Sequence, residues 1–190
     1  ARSESSTLEI RKQPVLLLNV LQEVHREAQV LAMRCGTVAD LTAPTESFIV
    51  DGDPHRLQQL FMTLVDNSVN YSIQGGTVEI RVARSGNNVA VMITDEGIGI
   101  PAEDLPHVFE RFYRAKRQHR PTLHTGSGLG LPIAKWITEA HGGTISIAST
   151  VEKGTTVTVH LPLSTMETTA HERETVHNRL SLHGRQELHR

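Results

Sequence analysis

Two pairs of alternating runs constrain this chain more than any other feature of its sequence. Val78, Ile80 and Val82, then Val89, Val91 and Ile93, alternate with polar residues on either side of Ser85-Gly86-Asn87. Ile145 and Ile147, then Val157, Val159 and Leu161, repeat the pattern around Lys153-Gly154. A period of two puts every apolar side chain on one face of a strand, and the turn residues between the runs predict two hairpins. A sheet with a single apolar face must bury that face against another layer.

Three stretches of helical periodicity supply the cover. Over 15–35, Leu17, Leu18, Leu21, Val24, Ala28, Leu31 and Ala32 recur at helical spacing until Gly36 stops the run. Short strand-like pieces follow at 38–41 and 48–50. Asp53 then offers an N-cap and Pro54 a first-turn residue for a second helix, whose core face is Leu57, Leu60, Phe61, Leu64 and Ser68. A third helix is marked by Leu129, Ile133, Trp136, Ile137 and Ala140, with Pro132 in its first turn and Gly142-Gly143 as its stop. The expected fold is α/β: a two-layer sandwich in which three helices cover one face of a mixed sheet. With 190 residues, 38% of them hydrophobic, the chain has material for one core plus tails. We expect 1–13 to be the polar end of a helix and a linker closed by Pro14, 14–163 to be the domain, and 164–190 to be a mobile tail. His171, His177, His183 and His189 recur there every six residues, a spacing that does not share a helical face and so makes no metal ladder.

Charge narrows the partners. Nineteen basic residues against 21 acidic ones give a net charge of -2, with no global field for nucleic acid or an anionic membrane. Any recognition of phosphate must therefore be local. The single cysteine, Cys35, lies in an apolar run and reads as a packing residue. No run approaches the roughly 18 apolar residues of a membrane helix. The first residue is Ala1 rather than Met, so a piece of a longer protein is expected.

Three segments carry candidate chemistry. Asp95-Glu96-Gly97-Ile98-Gly99-Ile100 ends a buried strand with a carboxylate, which can only accept hydrogen bonds and therefore suits the exocyclic amine of adenine over the carbonyl of guanine. The glycines after it allow close approach to a flat base. Gly126-Ser127-Gly128-Leu129-Gly130-Leu131 precedes the third helix, where free amides and the positive end of the helix dipole favour phosphate. Thr63, Asn67, Asn70 and Tyr71 form a polar stripe beside the apolar face of the second helix, and the neutral amide oxygen of Asn67 is a hard ligand acceptable to magnesium. Asp66, turned about 100° from it, is expected on the surface. In Phe109-Glu110-Arg111-Phe112-Tyr113-Arg114 the aromatics are expected to anchor a loop on the core while an arginine reaches a terminal phosphate. Lys116, Arg117, His119 and Arg120 read as a solvated basic stretch. Each segment alone also fits a plain capping or packing role.

In this order, Asn67 in a helix, Asp95-x-Gly-x-Gly, Phe109-Glu-Arg-Phe-Tyr-Arg and Gly126-x-Gly-Leu-Gly-Leu resemble the N box, first glycine box, F box and second glycine box of sensor histidine kinases. The match runs over 15–163, and Ala1-Arg2-Ser3-Glu4 resembles the end of the family's dimerisation helix. The resemblance implies the Bergerat ATP-binding fold, with ATP and magnesium as cofactors. It places Asp95 on adenine, Asn67 on magnesium, Tyr71 near the nucleotide and Arg114 on the terminal phosphate, making Asn67 and Arg114 the catalytic pair. Gly97, Gly99 and Ile100 of the first glycine box and Gly126, Gly128, Leu129 and Gly130 of the second would complete the nucleotide contacts, with 97–126 as the ATP lid. The implied partners are the histidine-bearing dimerisation domain of the same protein, in a homodimer, and the receiver domain of a response regulator. The implied place is a cytoplasmic domain of a parent protein anchored in the inner membrane.

The sequence departs from the family pattern at Thr63, where asparagine is usual, and at Asn70, where a basic residue usually meets phosphate. Asn70 would keep one neutral hydrogen bond to phosphate. These departures are the support for a second reading, a catalytically weak nucleotide-sensing or docking module. None of the eleven histidines has a context resembling the family's phosphate acceptor; His25 comes nearest but sits within the first helix. The chain is thus expected to bind ATP without phosphorylating itself.

Overall fold

The structure is a computed structural model that describes residues 10–115 and 127–165. The segment Ala1-Arg2-Ser3-Glu4, the basic residues from Lys116 to Arg120, Gly126 and the four spaced histidines beyond 164 lie outside the described residues.

A five-stranded sheet runs in the order β2-β4-β5-β7-β6, from β2 (Val38–Thr42), β4 (Thr77–Ser85), β5 (Asn88–Asp95), β7 (Gly154–Pro162) and β6 (Thr144–Thr150). β2 lies parallel to β4 and the remaining pairs are antiparallel, so the sheet is mixed as expected. Both hairpins stand where the alternation placed them, and their registers set Val91 against both Val82 and Val159. The alternate residues Val78, Ile80, Val89, Val91, Ile93, Val159 and Leu161 are buried. Polar residues take the other face, where Thr94 and Thr156 share a 3.0 Å hydrogen bond and Arg81 pairs with Glu79.

Three helices cover the apolar face: α1 (Leu17–Cys35), α2 (Pro54–Tyr71) and α3 (Gly130–Ala140). α2 is the central one, packed between α1 and α3, and it buries Leu57, Leu60, Phe61 and Leu64. Asp53 caps it as its sequence predicts, its side chain accepting from the amides of His55 and Arg56. Burying side chains of this size is worth about 1.5–3 kcal/mol each, which sets α2 as the axis of the core.

Three details differ from expectation. The helix read over 15–35 begins at Leu17, because Gln13–Leu16 forms a short strand, β1, paired antiparallel with β3 (Ile49–Gly52). Pro14 sits in this two-stranded ribbon, where a missing donor is tolerated. In α3 the buried face is Ala134, Ile137 and Thr138, leaving Ile133 and Trp136 more than a third exposed. The core also continues past 163, since Ser164 is buried and donates its amide to Ile49 O at 2.8 Å.

Candidate active site

A cavity of about 470 Å³ lies between the polar stripe of α2, the end of β5 and the start of α3. Asp95 is its deepest charged group, only 5% exposed. Its Oδ1 accepts the Thr155 amide at 3.2 Å, and the Gly97 amide and Ser68 hydroxyl also point to the carboxylate. Burial pushes the Asp95 carboxyl up to about 6, while those three donors pull the other way. The group is therefore anionic at pH 7 and has acceptor capacity left over for a ligand.

The backbone beyond Asp95 turns sharply. Gly99 has φ of 69°, and a Cβ on it would fall 2.1 Å from Thr150 O, so the turn requires glycine on two counts. Ser149 Oγ fixes the far side of the turn by accepting the Ile100 amide at 2.8 Å. Gly99 and Ile100 both border the cavity. Gly97 does not; it packs behind the wall against Tyr71 O and gives its amide to Asp95.

Elsewhere on the cavity wall, α3 begins beside Asn67. A Cβ on Gly130 would lie 3.4 Å from Asn67 Nδ2 and 3.2 Å from Thr63 Cγ2. Asn67, Tyr71, Gly128, Gly130 and Arg114 all border the cavity. Leu129 does not; its carbonyl serves as the main-chain cap of α3, accepting the Ile133 amide at 3.0 Å. Asn70 is not among the residues that line the cavity, although on the helix it falls between Asp66 and Asn67, which do. Asp66 is exposed, as expected, yet borders the cavity. Phe112 corrects another expectation: it is 71% exposed and anchors nothing on the core, whereas Phe109 is half-buried with Lys135 Nζ 5.8 Å from its ring centre.

Sequence reasoning missed four contributors. Thr155, Val157 and Ile147 line the cavity from β7 and β6, and Ser68, read as a core residue, hydrogen-bonds Asp95. Only the register of β5 with β7, which sets Asp95 against Thr155, reveals the first of these, and no local pattern encodes a partner 60 residues away.

Residues 52–165 match the family of histidine kinase-, DNA gyrase B- and HSP90-like ATPases. The chain belongs to that family. As a histidine kinase-like ATPase domain it has sensor kinases for relatives: it is 32% identical over 154 residues to the signal transduction histidine-protein kinase ArlS of Staphylococcus aureus, covering 81% of this chain. The chain spans about a third (32%) of the length of that relative. Its fold superposes on the mycobacterial sensor histidine kinase MprB with a TM-score of 0.71 at 28% identity, covering 80% of this chain and 98% of the other. The catalytic domain of the histidine kinase ThkA gives 0.68 at 24% identity over 80% of this chain and 95% of its own, a likeness of fold. These superpositions agree with three helices on a mixed sheet, as the sequence led us to expect; the sheet has five strands.

Proposed function

We propose that this domain binds ATP in the cleft and transfers its terminal phosphoryl group to a histidine on a dimerisation helix outside residues 14–163, from which an aspartate of a response regulator receives it. One observation carries the reading: a buried carboxylate and a helix N-terminus both border a single cavity of about 470 Å³, an arrangement that suits a base on the one and phosphates on the other.

In this reading Asp95 accepts the adenine amine, and Tyr71 borders the nucleotide. The amides opening α3 hold phosphate, joined by the Arg114 guanidinium, which offsets charge developing on the terminal group. Transfer forms a bond from the histidine nitrogen to phosphorus as the bond to the bridging oxygen breaks, leaving ADP. Little covalent chemistry falls to the domain, whose contribution is placement and charge.

The donor set fits magnesium: one neutral amide oxygen, from Asn67, at the phosphate end, with the Asp66 carboxylate at the rim. When bound, the ion neutralises charge on the phosphate oxygens. Asn67 would hold it, and the remaining positions would go to phosphate and water. We further infer a cytoplasmic domain of a homodimeric, membrane-anchored parent; among the described residues no helix is long and apolar enough to cross a membrane.

Calorimetric titration with ATP and GTP, with and without magnesium, tests this. The expected result is ATP-selective, magnesium-assisted binding that disappears in Asp95→Ala. Absence of nucleotide binding by the wild-type chain would sink the proposal.

A further inference from the structure

Arg114 is exposed, and a long arginine side chain loses much rotamer freedom when fixed, so its usefulness depends on how its backbone is held. The backbone just before it is unusually constrained. Asp104 is 9% exposed and sits in a run of turns: its amide donates to Pro101 O at 2.9 Å, and its carbonyl accepts from His107 at 3.0 Å. The chain continues through a single 3-10 turn, Leu105–His107, with Glu110 donating to His107 O at 2.8 Å. It then reverses at Phe112, a non-glycine residue with φ of 64°, whose amide donates to Gly128 O at 2.9 Å. A left-handed Phe is unfavourable by itself and persists only where its surroundings enforce it. The enforcing contact follows at once: the Tyr113 hydroxyl donates to Asp104 Oδ1 at 2.5 Å, and the His107 ring packs 5.4 Å from the Tyr113 ring.

We propose that Asp104 and Tyr113 are positioning residues: their hydrogen bond closes the 104–113 segment into a rigid loop that delivers Arg114 to the phosphate end of the cleft. The inference rests on the functional reading above and goes beyond it by naming what aims the arginine. Both Tyr113 and Arg114 border the cavity, so a shift of this loop moves the guanidinium directly. The bond is charge-assisted, with an anionic acceptor. Chiefly through that bond, the Tyr113 phenol is pushed up to about 12 and remains a donor throughout the physiological range.

The test is the ratio of ATP to ADP affinity, measured calorimetrically on the full chain with magnesium. Tyr113→Phe removes only the hydroxyl. It is expected to lower the ratio by about five- to tenfold, the scale of losing one charge-assisted contact to the terminal phosphate. Arg114→Ala should lower the ratio as much, and the double variant should fall no further, because the two act through one contact. Asp104→Asn, which keeps an acceptor oxygen, should retain most of the ratio that Asp104→Ala loses. A ratio unchanged in Tyr113→Phe overturns the proposal. So does an equal loss of ATP and ADP affinity with a lowered melting temperature, the mark of a merely structural bond. Failure of the wild type to bind ATP would instead overturn the reading of the site itself, and this inference with it.

Discussion

Asp95 shows how a single side chain serves a site at a cost to its own fold. Its carboxyl ordinarily titrates near 3.8 and is raised to about 6 by burial. The folded state therefore binds a proton more tightly than the unfolded one, and stability falls as pH rises from about 4 through 6. At neutral pH the penalty is of order 3 kcal/mol, from roughly two pH units at about 1.4 kcal/mol each. Replacing the carboxylate by an amide removes that titration. Comparing urea denaturation of the wild type and Asp95→Asn should thus show the wild type gaining roughly 1 kcal/mol relative to the variant between pH 7 and pH 5. Adenine nucleotide affinity should move the opposite way, falling in the wild type as pH drops through about 6 because the charged acceptor disappears. A flat difference curve would mean that Asp95 is not the buried anion described.

At the scale of elements, the ends of two helices are tied by one histidine. The buried His141, just past α3, accepts the Asp53 amide at Nε2 (3.0 Å) and donates from Nδ1 to Ile137 O at 2.7 Å. A backbone amide can only donate, so the proton must sit on Nδ1 and the ring must be neutral. Burial first, and then the nearby Lys12, hold the pKa of His141 below its ordinary 6.5, against the Ile137 carbonyl and the Asp53 charge, which favour the cation. Here the unfolded state binds the extra proton, so the contribution is complete above about 6.5 and is lost as pH falls below it. His141→Leu should abolish this acid-side loss in a denaturation series while costing about 1–3 kcal/mol at pH 7 for the orphaned Asp53 amide. The turn at Gly99 gives a second prediction. Gly99→Ala meets both a left-handed φ and the Thr150 carbonyl, so it should cost more than about 1 kcal/mol and weaken nucleotide binding by displacing Ile100 from the cavity wall. Both features bear on what was legible in advance. Strands, helices and caps announce themselves through local periodicity and local capping residues, which is why the hairpins and the Asp53 cap could be read directly. The His141 tie joins residues 88 apart, and the Asp95–Thr155 contact joins residues 60 apart; both depend on packing that no short window records. Leu129 belongs to the second glycine box, yet it does not line the cavity. Motif position fixes a residue's neighbourhood, whereas the contacts of its side chain depend on packing around it.

At the scale of the whole molecule, core and cleft share α2. Its one face carries Phe61 and Leu64 into the sheet, and the adjoining stripe carries Asn67 and Tyr71 to the cavity. Anything that loosens the packing of α2 must therefore loosen the site, and anything that fills the site must brace the core. Phe61 is fully buried, so Phe61→Ala should cost about 3–5 kcal/mol through lost burial and the cavity left behind. For a domain of this size each kcal/mol shifts the melting temperature by roughly 2–4 °C. If the cleft binds ATP, nucleotide at a hundredfold excess over Kd adds about 2.7 kcal/mol by mass action alone, raising the wild-type melting temperature by roughly 5–10 °C. The variant should show a smaller ligand-induced rise at the same ATP concentration, because its Kd has also increased. Thermal denaturation of both proteins across an ATP series separates the cases: equal rises at every concentration would mean that site and core are independent, whereas a rise that lags in the variant by an amount levelling off at high ATP would show that α2 couples them.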